Sequence, residues 1–131
     1  KNEAMFSLAL KYIKNSKTQD SINVYLADAL DFDTDQLATS YDIIFIDAAK
    51  SQYIHFFEKY EKLLSDDGII VSDNLLFHGF VNQGKTIESR NLRQLVGKIE
   101  NYNLYLSKNK NYRTNFLTIG DGIALSQRVK K

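Results

Sequence analysis

The chain has 131 residues, no cysteine, no proline and a formal net charge of +1. That length fits one domain at most and suffices to bury a core. Disulfides and thiolate metal sites are excluded, and no apolar run is long enough to cross a membrane, so a cytoplasmic location is the expectation.

Lys1–Asn15 reads as a helix, with Met5, Leu8, Ala9, Tyr12 and Ile13 on one face. The pattern begins without an N-cap residue. Ile22–Ala27 reads as a strand ending at Asp28, and Asp35–Ala38 holds only a short helix that Asp33 or Thr34 could cap. Tyr41–Asp47 carries the apolar run Ile43-Ile44-Phe45-Ile46, which reads as a parallel strand buried on both faces. Ser51–Leu64 is the clearest helix, with Tyr53, Phe56, Phe57, Tyr60, Leu63 and Leu64 in one stripe. Asp66-Asp67-Gly68 predicts a turn, and Gly68–Ser72 a second short strand closed by Asp73-Asn74. Phe77–Thr86 reads as a loop. Glu88–Leu106 is an amphipathic helix with Leu92, Leu95, Val96, Ile99 and Tyr102 inward. Tyr112–Ile119 and Ile123–Gln127 form an antiparallel hairpin around Gly120-Asp121-Gly122. The whole is one α/β domain, a doubly wound sheet with an antiparallel edge.

Asp47 and Asp73 close successive apolar strands joined by one helix, and right-handed crossovers place such strands close together. The two carboxylates could converge on one cation, with the Asn74 amide oxygen as third ligand. Oxygen donors without cysteine suit a hard ion such as Mg²⁺. Two unrelated helix caps or turn residues would leave the same pattern. His55 lies beside the helical stripe and reads as structural or exposed, and His78 as a loop histidine. Neither has a Ser or Cys partner at triad-like spacing.

The stretch YDIIFIDAAK (Tyr41–Lys50), Tyr53 and DDGIIVSDN (Asp66–Asn74) resemble the metal-dependent, S-adenosylmethionine-using O-methyltransferases, the family of the catechol and caffeoyl-CoA enzymes. NLLFHGFV (Asn74–Val81) and GDGIAL (Gly120–Leu125) most resemble a bacterial branch that methylates 5-hydroxyuridine in tRNA. The resemblance runs over nearly the whole chain. It implies a Rossmann-like methyltransferase sheet, S-adenosylmethionine and Mg²⁺ as cofactors, and Asp47, Asp73 and Asn74 as metal ligands. It implies that Lys50 is the catalytic lysine, acting with Asp47 either as proton acceptor or as a cation beside the oxyanion. It also implies that Asp28 and Ala29 recognise adenine, and that Asp47 and Tyr53 lie near the methionine part. For Asp28 a cap, and for Tyr53 core packing, are the competing readings.

The family's glycine-rich turn after the first strand and the acidic end of its second strand have no counterpart here. By the resemblance, residues 1–131 correspond to the C-terminal portion of a methyltransferase domain that lacks the first two strands. The expectations are a poorly supported Ile22 strand and first helix, weak cofactor affinity and an inactive chain on its own, and pairing of open sheet edges into at least a homodimer.

The charge is asymmetric. Residues 1–83 carry 7 basic and 13 acidic side chains, and residues 84–131 carry 10 basic and 3 acidic ones. That hints at a polyanionic partner, or at a solvated basic surface. Lys85, Arg90, Arg93 and Lys98 are candidate contacts to tRNA phosphates, with Tyr105, Tyr112 and Phe80 to stack on a base. Solvated charges and core aromatics are the alternative. The expected substrate is the 5-hydroxyl of a modified uridine in tRNA, and the alternatives are a small catechol-like phenol or no catalysis at all.

Overall fold

The computed structural model describes residues 2–81 and 87–130 and divides into two compact units, Lys1–Asp33 and Thr34–Lys131. In the first unit, α1 (Glu3–Lys14) is capped by Asn2, whose Oδ1 accepts the Met5 N–H at 3.1 Å. That cap lies inside the range expected to be helical. None of α1 is buried, and the predicted inward face is open, with Met5 and Tyr12 well exposed. The predicted Ile22–Ala27 strand does not form: among the described residues the segment pairs with no strand. A strand gets its backbone partners from a neighbour, and apolar content alone supplies none.

The second unit holds a four-stranded mixed sheet in the order β1-β2-β4-β3 among the described residues, with β1 Tyr41–Ile46, β2 Leu64–Ser72, β3 Tyr112–Leu117 and β4 Ile123–Arg128. β1 and β2 are parallel, and β4 runs antiparallel to both β2 and β3. The predicted terminal hairpin is therefore present. Two helices accompany the sheet, α2 (Tyr53–Tyr60) and α3 (Arg90–Lys108). Ser89 caps α3 by accepting the Leu92 N–H.

The helix predicted over Ser51–Leu64 is shorter. A 3₁₀ turn at Lys50–Gln52 leads into α2, another at Glu61–Leu63 ends it, and Leu64 already pairs with Tyr41. Arg128 fixes this exit, donating from Nη2 to the carbonyls of Glu61 (2.5 Å) and Leu64 (3.4 Å). The predicted turn at Asp66-Asp67-Gly68 is instead a wide irregularity within β2. Tyr41 pairs with Leu64 but Ile43 with Ile69, so residues 65–68 face Asp42 alone. Ser65 Oγ donates to Asp42 Oδ1 at 2.9 Å to hold the bulge. A Cβ at Gly68 would lie 2.8 Å from Leu64 Cδ1, so a side chain there would have to displace those of Leu64 and Ser65.

Both helices cover one face of the sheet. There Ile46, Ile70, Ser72, Ala124, Ser126 and Tyr112 are buried with Tyr53, Phe56 and Phe57 of α2 and Val96, Ile99, Tyr102 and Leu106 of α3. The inward positions expected for α3 are met at Val96, Ile99 and Tyr102, while Leu92 and Leu95 are half-buried. The buried polar pair on this face is satisfied, since Ser72 Oγ and Tyr102 Oη lie 2.7 Å apart. The expectation that β1 is buried on both faces is not met. Ile43 is 66% and Phe45 59% exposed, because their side chains point to the face opposite α2 and α3.

Four tyrosines give this core an alkaline limit. Burial first, and neighbouring carboxylates after it, raise Tyr53 to about 12; burial also raises Tyr105 and Tyr112 to about 12, and Tyr102 further still. An unfolded tyrosine loses its proton near 10, so between there and 12 the unfolded state binds fewer protons and stability falls as pH rises. Tyr53 and Tyr102 dominate, because they are the most completely buried of the four. Stability in urea should be flat below about pH 9 and drop steeply above about pH 10. A phenolate absorbance titration showing all tyrosines ionising near 10 without unfolding would contradict it.

Candidate functional site

The C-terminal ends of β1 and β2 deliver two aspartates. Ile46 pairs with Ser72, and the Asp73 N–H donates to the Ile46 carbonyl at 3.1 Å. Asp47 and Asp73 thus leave the sheet as neighbours, on strands spaced about 4.8 Å. Asp47 is exposed, and Asp73 and Asn74 are half-buried. Tyr53 buttresses the second aspartate from the core. It is 1% exposed, its ring meets Tyr102 edge-on at 5.1 Å, and its hydroxyl donates to the Asp73 carbonyl at 3.0 Å. After burial, the negative charges of Asp47 and Asp73 are what hold the Tyr53 phenol above its ordinary range. Both carboxylates therefore act on the same spot.

Asn74 follows with a left-handed backbone, φ 60°, which asparagine tolerates, and its N–H donates to Asp73 Oδ1 at 2.6 Å. Its amide oxygen accepts from Lys50 Nζ at 2.9 Å, joining the loop after β2 to the turn after β1. The Lys50 ammonium lies 5.8 Å from the centre of the Tyr53 ring and 6.0 Å from that of Phe77. Phe77 (φ 45°) and His78 (φ 55°) are also left-handed, at about 1–2 kcal/mol each for side chains of this kind. Beside Lys50, a cleft of about 160 Å³ is lined by Tyr53, His55, Lys98, Asn101 and Tyr102.

Asp47, Asp73 and Asn74 offer only oxygen donors, the kind a hard divalent cation takes. Among the described residues no three His, Cys, Asp or Glu side chains gather for a metal, and the Asn74 amide oxygen already accepts from Lys50.

Asp28 and Ala29 lie in the first unit. The Asp28 carboxylate accepts the Leu30 N–H at 3.0 Å and its carbonyl accepts Phe32 N–H at 2.8 Å, the work of a turn residue. The residues expected to meet RNA divide. Arg90 and Lys98 are exposed, and Lys85 lies outside the described residues. Arg93 donates from Nη2 to the carbonyls of Ile87 (2.8 Å) and Glu88 (3.3 Å), securing the approach to α3. Tyr112 is buried and meets Phe57 at 5.0 Å, and Tyr105 meets Phe57 at 5.7 Å. The two tyrosines are core aromatics, so the expected base stacking on them is not what the structure provides. Alternation within the hairpin put Tyr112 on the helix-covered face.

Two participants were not singled out as site residues from the sequence. Phe77 falls in a predicted loop, although an aromatic five residues after a strand end is within reach of Lys50. Asp121 was read only as part of a hairpin turn.

The family model described as O-methyltransferase matches residues 1–129. Among curated relatives, a caffeoyl-CoA O-methyltransferase of Populus kitakamiensis is 30% identical over 134 residues, covering 98% of this chain and 57% of that protein. The tapetum-specific methyltransferase 1 of Arabidopsis thaliana is 30% identical over 132 residues, covering 98% and 56%. The chain thus spans little more than half the length of these relatives. A crystal structure of a provisionally assigned caffeoyl-CoA O-methyltransferase of Staphylococcus aureus superposes with a TM-score of 0.91 at 39% identity, covering 98% of this chain and 62% of that one. A Podospora anserina methyltransferase solved with SAH shares the fold, with a TM-score of 0.85 at 19% identity and coverage of 98% and 58%.

Proposed function

Because this chain belongs to the O-methyltransferase family, we propose that the Asp47–Asp73–Asn74 end of its sheet serves S-adenosylmethionine-dependent O-methylation assisted by Mg²⁺. The observation that carries this reading is the pair of aspartates leaving neighbouring strands, with Lys50 tied to Asn74 between them. When bound, Mg²⁺ would lower the pKa of a substrate hydroxyl and S-adenosylmethionine would supply an electrophilic methyl group. Asp47, Asp73 and Asn74 are the residues that would hold the cation, and Asp47 and Tyr53 those near the methionine part.

Lys50 acts on this reading as a fixed positive charge. It donates a hydrogen bond to Asn74 and lies beside the rings of Tyr53 and Phe77, a setting that suits a cation. It stabilises negative charge as that develops on the substrate oxygen.

The substrate we favour is a small phenol with vicinal oxygens, in keeping with relatives named as caffeoyl-CoA O-methyltransferases. The basic excess beyond residue 84 supports a second reading, 5-hydroxyuridine in tRNA, although Arg93 and Tyr112 have structural employment. The deciding assay follows transfer of a labelled methyl group by the protein as its gene encodes it. A catechol panel and tRNA carrying 5-hydroxyuridine are compared, with Mg²⁺ and with a chelator. Catechol turnover that stops with the chelator is expected. Turnover of tRNA alone, lost at high salt, would transfer the assignment to the second substrate. Turnover indifferent to the chelator would remove the metal from the reading.

A further inference from the structure

The turn between β3 and β4 reaches out of its hairpin to the loop that carries Asn74. The Leu75 N–H donates to the Gly122 carbonyl at 3.0 Å and the Leu76 N–H to the Asp121 carbonyl at 2.8 Å. The Asp121 carboxylate accepts the His78 N–H from 43 residues away through Oδ1. Its Oδ2 is shielded from water and faces the His78 imidazole Nδ1 at 3.5 Å. Gly122 makes this approach possible. Its φ is 84°, and a Cβ there would lie 2.5 Å from Leu76 Cγ and 2.9 Å from Leu76 N. From the other side, Asn103 Nδ2 donates to the Leu75 carbonyl at 3.1 Å.

The loop needs such a hold. Asn74, Phe77 and His78 are all left-handed without being glycine, a conformation that persists only where the surroundings over-determine it. We propose that Asp121 is a positioning residue of the site. By gripping the His78 N–H with its carboxylate, beside the Leu76 N–H held by its backbone carbonyl, it keeps Asn74 Oδ1 against Lys50 and the Phe77 ring near the same ammonium. A carboxylate serving only its own hairpin would bond back to the hairpin; this one bonds to the loop after β2. The metal readout of this inference rests on the reading of Asn74 as a cation ligand, whereas the loop geometry does not.

The test compares Asp121→Asn, Asp121→Ala and His78→Gly with the unaltered protein. Mg²⁺ affinity is read by calorimetry, amide hydrogen exchange at Leu76 and His78 by NMR, and folding by thermal melting. Asp121→Ala should bind Mg²⁺ about tenfold more weakly, the usual effect of removing an outer support of a metal ligand. Exchange at His78 should speed up. Asp121→Asn keeps an acceptor oxygen and His78→Gly keeps the N–H, so both should bind Mg²⁺ as the unaltered protein does. Wild-type affinity in Asp121→Ala overturns the proposal, as does an equal loss in His78→Gly, which would assign the effect to the imidazole. If Asp121→Ala fails to fold, a tenfold loss in Asp121→Asn is the overturning result. If the unaltered protein binds no Mg²⁺, the metal reading falls by itself. Unchanged exchange at His78 in Asp121→Ala would then refute the positioning role separately, with Leu76, which bonds to the retained backbone carbonyl, as the internal reference.

Discussion

Asp73→Asn should lower Mg²⁺ affinity and methyl transfer together, by about 10²–10⁴-fold, the several kcal/mol that a metal's charge stabilisation supplies. The substitution is chosen because the rest of Asp73 is tied to the fold through its backbone. Its N–H reaches Ile46 and its carbonyl accepts the Tyr53 hydroxyl. An asparagine at 73 retains an oxygen for the Asn74 N–H, so what disappears is one negative charge. The melting temperature should hardly move. A third readout needs no substrate: Asp73 is one of two carboxylates holding Tyr53 up at about 12, so Tyr53 should ionise at lower pH in the variant. It would still lie above 10, because burial is the largest cause. Loss of turnover with unchanged Mg²⁺ affinity would assign Asp73 a role other than metal ligand.

The strand ends were legible in the sequence because they combine two local signals, an apolar β-branched run and an abrupt carboxylate. Ile43–Ile46 before Asp47 and Ile69–Ser72 before Asp73 carry both, and the structure pairs them in register. The hairpin was legible from its glycines. Position within the sheet was harder to read. Ile43 and Phe45 are as apolar as Ile44 and Ile46, yet alternation leaves them on the face away from α2 and α3. The Ile22–Ala27 segment has strand composition but no partner, and pairing is a non-local property. Asp66-Asp67-Gly68 has the composition of a turn, and here the chain does bulge while the ladder continues on both sides. Arg93 shows the same limit for the site. Its charge is visible in the sequence, but its commitment to the Ile87 and Glu88 carbonyls depends on how residues 87–89 approach α3. Asp121 was hidden for a similar reason, since a carboxylate in a Gly-Asp-Gly turn gives no sign that it reaches a loop 43 residues earlier.

Phe57→Ala should be the most damaging single core change, costing about 3–5 kcal/mol. Phe57 is fully buried, and its ring meets Tyr102 at 6.5 Å, Tyr105 at 5.7 Å and Tyr112 at 5.0 Å, all near edge-on. It joins α2, α3 and β3, so no single element can move in to fill the space. Edge-on aromatic contacts also contribute beyond their buried area, at about 0.5–1.5 kcal/mol per pair. A loss on this scale is a large part of the 5–15 kcal/mol typical of a domain, and the urea midpoint should fall accordingly. Phe45→Ala is the comparison: the same residue type, but in β1 and on the open face at 59% exposure. It should cost less than about 1 kcal/mol, since most of the ring is already in water. Equal losses at the two positions would mean that the open face of β1 is covered in solution. A small loss at Phe57 would mean that α2 does not hold its place against the hairpin, and Tyr53 would then no longer fix the backbone of Asp73.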